Sequence, residues 1–260
     1  MSERGRISLT VWQVAVLVAG IVLWEGLATR GALDPLFFSR PSHVATRIGQ
    51  WFTSGRIYQH ISVTTQETLG AFFAGAALGV ALGFVFARLP AISSIFDPYI
   101  KVANALPRIV LAPLFTLWFG LGILSKVVFG ITLVFFIVFF NTYQGIKDVD
   151  RNILNNARML GASEGDLVRH VLMPSAMTWI LASLHTSVGL ALVGAVVGEY
   201  LGSARGLGYI IHQAESLFDT TGVFAGIVVL SVFVLVVDAV VTVIERRLLV
   251  WKPGAQVETR

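Results

Sequence analysis

Six stretches of mainly apolar residues, each close to the length needed to cross a bilayer, divide this chain and leave little room for anything else. A spanning helix takes about 20 such residues, because each advances about 1.5 Å through a hydrocarbon core about 30 Å thick. The stretches are 11–28, 69–87, 97–119, 127–146, 176–198 and 220–245. Arg88 and Pro90 stop the second, and Asp97-Pro98 is read as the start of the third, with Asp as cap and Pro in the first turn. By this division Asp238, in the sixth, is the only acid deep within a span. Charged residues make up 13% of the 260, about half the share of a soluble domain, which excludes an ordinary globular fold. The expectation is an all-α integral membrane protein with six transmembrane helices, a single domain over 1–260 with its core at 60–250.

Net charge is +4, but Lys and Arg lie between the apolar stretches rather than on one face, so their role is topological and no nucleic acid is implied. With the N-terminus inside, twelve Lys and Arg fall on the cytoplasmic side and six outside, leaving Arg108 within a span. Both termini and the segment 147–175 are thus expected in the cytoplasm. Glu25 and the lack of a small-residue cleavage site mark the first stretch as a retained helix rather than a signal peptide. The absence of cysteine excludes disulfides and thiolate metal sites. Between the first two spans, Val44, Ile48, Trp51 and Phe52 fall on one helical face. They suit either a helix lying in the interface or a plain connector. Trp12, Trp24, Trp118 and Trp251 near span ends read as headgroup anchors.

Within the spans, Ala71, Gly75, Gly79 and Gly83 place a small residue at every fourth position. Such a stripe allows close helix packing, either with a second subunit or inside the same bundle. In the third span Pro107 and Pro113 each remove a backbone donor and bend the helix. Asn104 and Arg108 lie one turn apart there, forming either part of a solute path or, for Arg108, a side chain snorkelling to the surface. Ser183, His185, Thr186 and Ser187 make the middle of the fifth span polar. Ser183 and Ser187 are candidates for the path, although hydroxyls in membrane helices also bond their own backbone. No phosphate loop, metal helix, nucleophile elbow or dinucleotide turn occurs, so a non-catalytic chain without a cofactor of its own is expected.

The segment NNARMLGASEGDLVRHVLMPSA, 155–176, is too charged for lipid yet rich in helix signals. Asp150 is placed to cap a helix carrying Ile153, Leu154, Ala157 and Leu160 on one face, and Gly161 suits the left-handed turn that ends it. Ser163 with Asp166 three residues on forms a capping box for a second helix leading to Pro174. The apolar face of this hairpin must be buried on lipid, on its own bundle or in a partner's groove.

This segment resembles the cytoplasmic loop of binding-protein-dependent ABC transporter permeases: Glu-Ala-Ala, three residues, Gly, nine residues, Ile-x-Leu-Pro. Ala157, Gly161, Val171 and Pro174 hold that spacing, with Met173 in place of Leu. Asn155 and Asn156 replace Glu and Ala, so any contact of that Glu does not transfer. LAPLFTLWFGLG, FNTYQGIKDVD and VVGEYLGSARGLGYII are similar to the nitrate, sulfonate, taurine and bicarbonate branch. The resemblance implies a type I importer permease fold in a bacterial inner membrane, a second permease subunit forming a homodimer, and an extracytoplasmic solute-binding protein. It also implies two cytoplasmic ATPase subunits, which would bind the ATP and Mg. Ala157, Leu160, Gly161, Ala162, Ser163 and Pro174 would then form the coupling loop, and a small anion would be the solute. The rival class, a stand-alone secondary transporter or channel, calls for internal repeats or several intramembrane acids. A membrane enzyme would need a clustered acid, base or metal set.

Overall fold

Most of the apolar stretches become helices that outlast their apolar part. In the computed structural model, which describes residues 3–248, the chain begins with α1 (Glu3–Thr29), α2 (Pro35–Phe38), α3 (Pro41–Thr53) and α4 (Arg56–Arg88). It continues through α5 (Pro90–Ala105), a 3-10 turn at Arg108–Leu111, α6 (Ala112–Phe119) and α7 (Ile123–Lys147). Then follow α8 (Arg151–Met159), α9 (Glu164–Leu167), a π turn at Val168–Leu172, α10 (Met173–Gly202), α11 (Leu207–Ser216) and α12 (Thr220–Leu248). Five helices among the described residues are long and apolar enough to cross a membrane. A sixth span forms if α5 is taken with Arg108–Phe119, a pair bent by 85°. The fold is all-α, of the multi-pass kind expected.

The bend follows from proline chemistry. Pro107 forces the residue before it out of the helical region, and Leu106 is extended at φ −65°, ψ 133°. Pro113 then enters the first turn of α6, where a missing N–H costs nothing. One boundary differs from the sequence reading. The helix starts at Pro90 instead of at Asp97, because Pro90 fills its first turn and the Asp97 carboxylate binds Lys101 at 2.6 Å instead of capping. Pro98 consequently lies inside the helix.

The bundle is organised around α4, α7 and α10. The small-residue stripe of α4 meets α7 of the same chain, so its packing partner is within this bundle. A Cβ on Gly75 would lie 2.7 Å from Val134 Cβ, and one on Gly79 2.8 Å from Val138 Cβ. One on Gly83 would lie 2.7 Å from the Phe139 carbonyl oxygen. The backbones of α7 and α10 touch in the same way, a Gly194 Cβ falling 2.7 Å from Gly130 Cα. Around Ala71, Val134, Val138 and Ala191 this closeness yields a buried apolar core.

At one end of the bundle Ala87, Ile146, Leu172, Ala176 and Ile180 form a second core under the hairpin. At the opposite end Ile57, Leu207 and Val229 form a third, covered by Ile48 and Trp51. The segment 41–52 is therefore a helix, packed on the bundle end through one face. The first helix, α1, is largely exposed and is held near its C-terminal end, by Trp24 against Phe224 at 5.2 Å and by Ser42 Oγ donating to Glu25 at 2.9 Å. Trp12 and Trp118 are exposed, as anchors would be, whereas Trp251 lies outside the described residues.

Candidate functional site

The hairpin is built from local capping chemistry. The Asp150 carboxylate accepts from the Asn152 N–H at 2.8 Å and opens α8. Gly161, at φ +90°, closes it: its N–H donates to the Arg158 carbonyl at 2.9 Å, and the Ala162 N–H reaches the Ala157 carbonyl at 3.0 Å. These two bonds make a complete Schellman motif. Ser163 Oγ then accepts from the Asp166 N–H, and Asp166 accepts from the Ser163 N–H at 3.0 Å, the reciprocal capping box. Both carboxylates of this turn are held below the ordinary range. Glu164 is lowered by hydrogen bonds from Arg88 and then Arg158, and Asp166 by hydrogen bonds from the Ser163 side chain and backbone. Through Arg88 the turn is tied to the end of α4, at 2.6 Å. Pro174 sits in the first turn of α10, after the π turn that carries the chain from α9 without a break.

The four apolar residues assigned to one face of α8 part company. Leu154 packs on the core beneath, together with Val149 and Val168, and Ala157 is half-buried. Ile153 stays exposed, and at the tip Met159 and Leu160 are 85% and 89% exposed. A Cβ on Gly161 would meet nothing within 4 Å. The tip is apolar and uncovered, with a capped turn behind it.

A second arrangement lies along α5 and α7. Arg108 donates to Asn104 Oδ1 at 2.5 Å and to the Asn104 carbonyl at 3.1 Å, and its guanidinium rests 4.6 Å over the Phe136 ring. Its Nε is buried without a partner. Phe140 and Gln144 continue the Phe136 face of α7, one turn apart. With Asp97, Ile100, Ser93 and Asn141 they line a cavity of about 420 Å³. Ser183 and Ser187 lie elsewhere, 4% and 0% exposed, each donating at 2.7 Å to a carbonyl of its own helix. His185 is bound to Glu245 at 2.9 Å and lies 3.6 Å from Asp238.

Comparison with known proteins decides the class. The family model for binding-protein-dependent transport system inner membrane components matches residues 75–250. The chain belongs to this family. It is 31% identical to the riboflavin transport system permease protein RibX of Chloroflexus aurantiacus, over 89% of this chain and 87% of that one. It is 29% identical to the putative aliphatic sulfonates transport permease SsuC of Bacillus subtilis, over 93% of this chain and 88% of that one. The taurine transport system permease TauC of Escherichia coli is 28% identical over 96% and 92%. Among solved structures, a chain of the MetNI methionine ABC transporter superposes with a TM-score of 0.62 at 17% identity, covering 74% of this chain and 95% of that one. The fold is thus that of a type I ABC importer permease, and the protein is an inner-membrane component of such a transport system.

In this permease the structure also shows groups that the sequence reading passed over. Asp238 is not the only deep acid: its side chain is 63% exposed, whereas Glu67 and Glu199 are 1% and 0% exposed and Lys126 is 1% exposed. Each stands within two residues of the end of an apolar stretch, so a division cut at charged residues left all three outside.

Proposed function

We propose that this chain is the membrane-spanning subunit of an ATP-driven importer in which two copies form the path for a small anion. Two cytoplasmic ATPase subunits grip the hairpins, and an extracytoplasmic binding protein delivers the solute. The observation that carries this reading is the hairpin tip. Two locked caps and the Arg88–Glu164 pair hold Met159 and Leu160 rigidly outside the bundle, the form of an anchor for a hydrophobic groove. ATP and Mg belong to those partners, since the sequence of this chain has no phosphate loop. Support for an anion comes from Arg108, held by Asn104 and Phe136, and from the sulfonate and taurine systems among the relatives. A riboflavin system is also among them, so the solute class rests chiefly on Arg108.

Reconstitution tests the reading. The chain, co-expressed with its ATPase and binding-protein partners, should accumulate solute in proteoliposomes only with ATP on the hairpin side. Uptake by the chain alone, driven by an ion gradient, would establish the secondary-transporter reading instead.

A further inference from the structure

At the end of the bundle opposite the hairpin, α4, α7 and α10 enclose Glu67, Lys126 and Glu199. Each oxygen of Glu199 has a donor. Thr64 Oγ1 donates to one of its oxygens at 2.5 Å and the Gly208 N–H to the other at 2.7 Å. Gly206 and Gly208 are shaped around it: a Cβ on Gly206 would fall 2.1 Å from the Glu199 carboxyl carbon, and one on Gly208 3.0 Å from Glu199 Cβ. Glu67 is the opposite case. Both its carboxyl oxygens are buried and meet no donor. Thr68 is committed to the Thr64 carbonyl at 2.7 Å, and the bond that Lys126 Nζ makes is to the Leu121 carbonyl at 2.9 Å rather than to Glu67. The charged groups acting on Glu67 are Glu199, within hydrogen-bonding reach, and Lys126. His60, further along α4, is turned away to the Gly206 N–H at 3.1 Å and faces Arg205.

A buried carboxylate with no donor carries the full cost of its desolvation, and two beside a single ammonium leave an uncompensated charge. One proton removes both defects. We propose that the Glu67–Glu199 pair binds a single proton, carried on Glu67 and donated to Glu199, as a structural ligand that closes this end of the bundle. The proton leaves Lys126 and Glu199 as a balanced pair. It also gives Glu199 a third donor while that residue holds the Gly206–Gly208 turn, and hence the start of α11, against α4.

Infrared spectroscopy of the purified chain tests this directly. At near-neutral pH the wild type should show the carbonyl stretch of a protonated, water-shielded carboxyl, and Glu67→Gln should lack it. Melting then assigns the carrier. Glu67→Gln supplies an equivalent neutral donor and should melt within about 4 °C of the parent, whereas Glu199→Gln removes the balancing charge and should melt at least about 8 °C lower. A wild type without the band, or a band unchanged in Glu67→Gln, overturns the proposal. The reverse melting order overturns the assignment to Glu67, as does a Glu67→Gln chain that fails to fold.

Discussion

Arg108 joins the bend of the membrane pair to its chemistry. Its guanidinium is held by Asn104 and Phe136, a fixed pose that suits the proposed solute path. Arg108→Ala should therefore lower transport at least about tenfold while leaving assembly and basal ATP hydrolysis intact, as read by uptake and phosphate release. Arg108→Lys should restore charge but not the planar fork, and so recover only part of the rate. Glu164 offers a second test. Its carboxyl is lowered by Arg88 and Arg158, so its contribution is present above the ordinary carboxylate pKa and is lost as pH falls through the lower folded value. Hydrogen exchange of the peptide 158–168, corrected for intrinsic rates, should rise only as the pH falls below the ordinary carboxylate range. Arg88→Gln should move that onset to higher pH.

Among the elements, α4 and α7 show how close packing replaces bulk hydrophobicity in a membrane. A Gly79 side chain would meet both Val138 Cβ at 2.8 Å and the Phe135 carbonyl at 2.9 Å, and neither can move without displacing α7. Gly79→Val should cost about 1–3 kcal/mol, measured as a lowered melting temperature in detergent. The hairpin was legible in the sequence because its signals are local: Asp150, Gly161, Ser163 and Asp166 each act within three or five residues. The glutamate–lysine cluster was not, because Glu67, Lys126 and Glu199 meet only when three distant helices pack. Nor was the split of the α8 face, since Leu154 turns inward only where the core of Ala87 and Ile146 exists to receive it.

For the whole molecule, the span count was readable from hydropathy, with the bend at Pro107 announced by the proline itself. The length of α4 was not, since its first turns are polar and pack against α3 and α11 through Ile57 and Ile61. We propose, from the distribution of Lys and Arg, that both termini and the hairpin face the cytoplasm. Single cysteines at Ser54, Ser163 and Ser203, introduced into a chain that has none, test this. An impermeant thiol reagent applied to whole cells should label positions 54 and 203 and spare 163.

The proposed function makes transport depend on the hairpin tip transmitting the state of an ATPase to the bundle. Leu160 is 89% exposed, so Leu160→Asp leaves the chain's own packing untouched and alters only what the tip presents. The decisive measurement is detergent pull-down of the ATPase subunit by this variant, with uptake measured on the same preparation. A normally inserted chain that has lost at least about tenfold in ATPase retention and in transport is the predicted result. Full retention and normal uptake would contradict the coupling role of the hairpin.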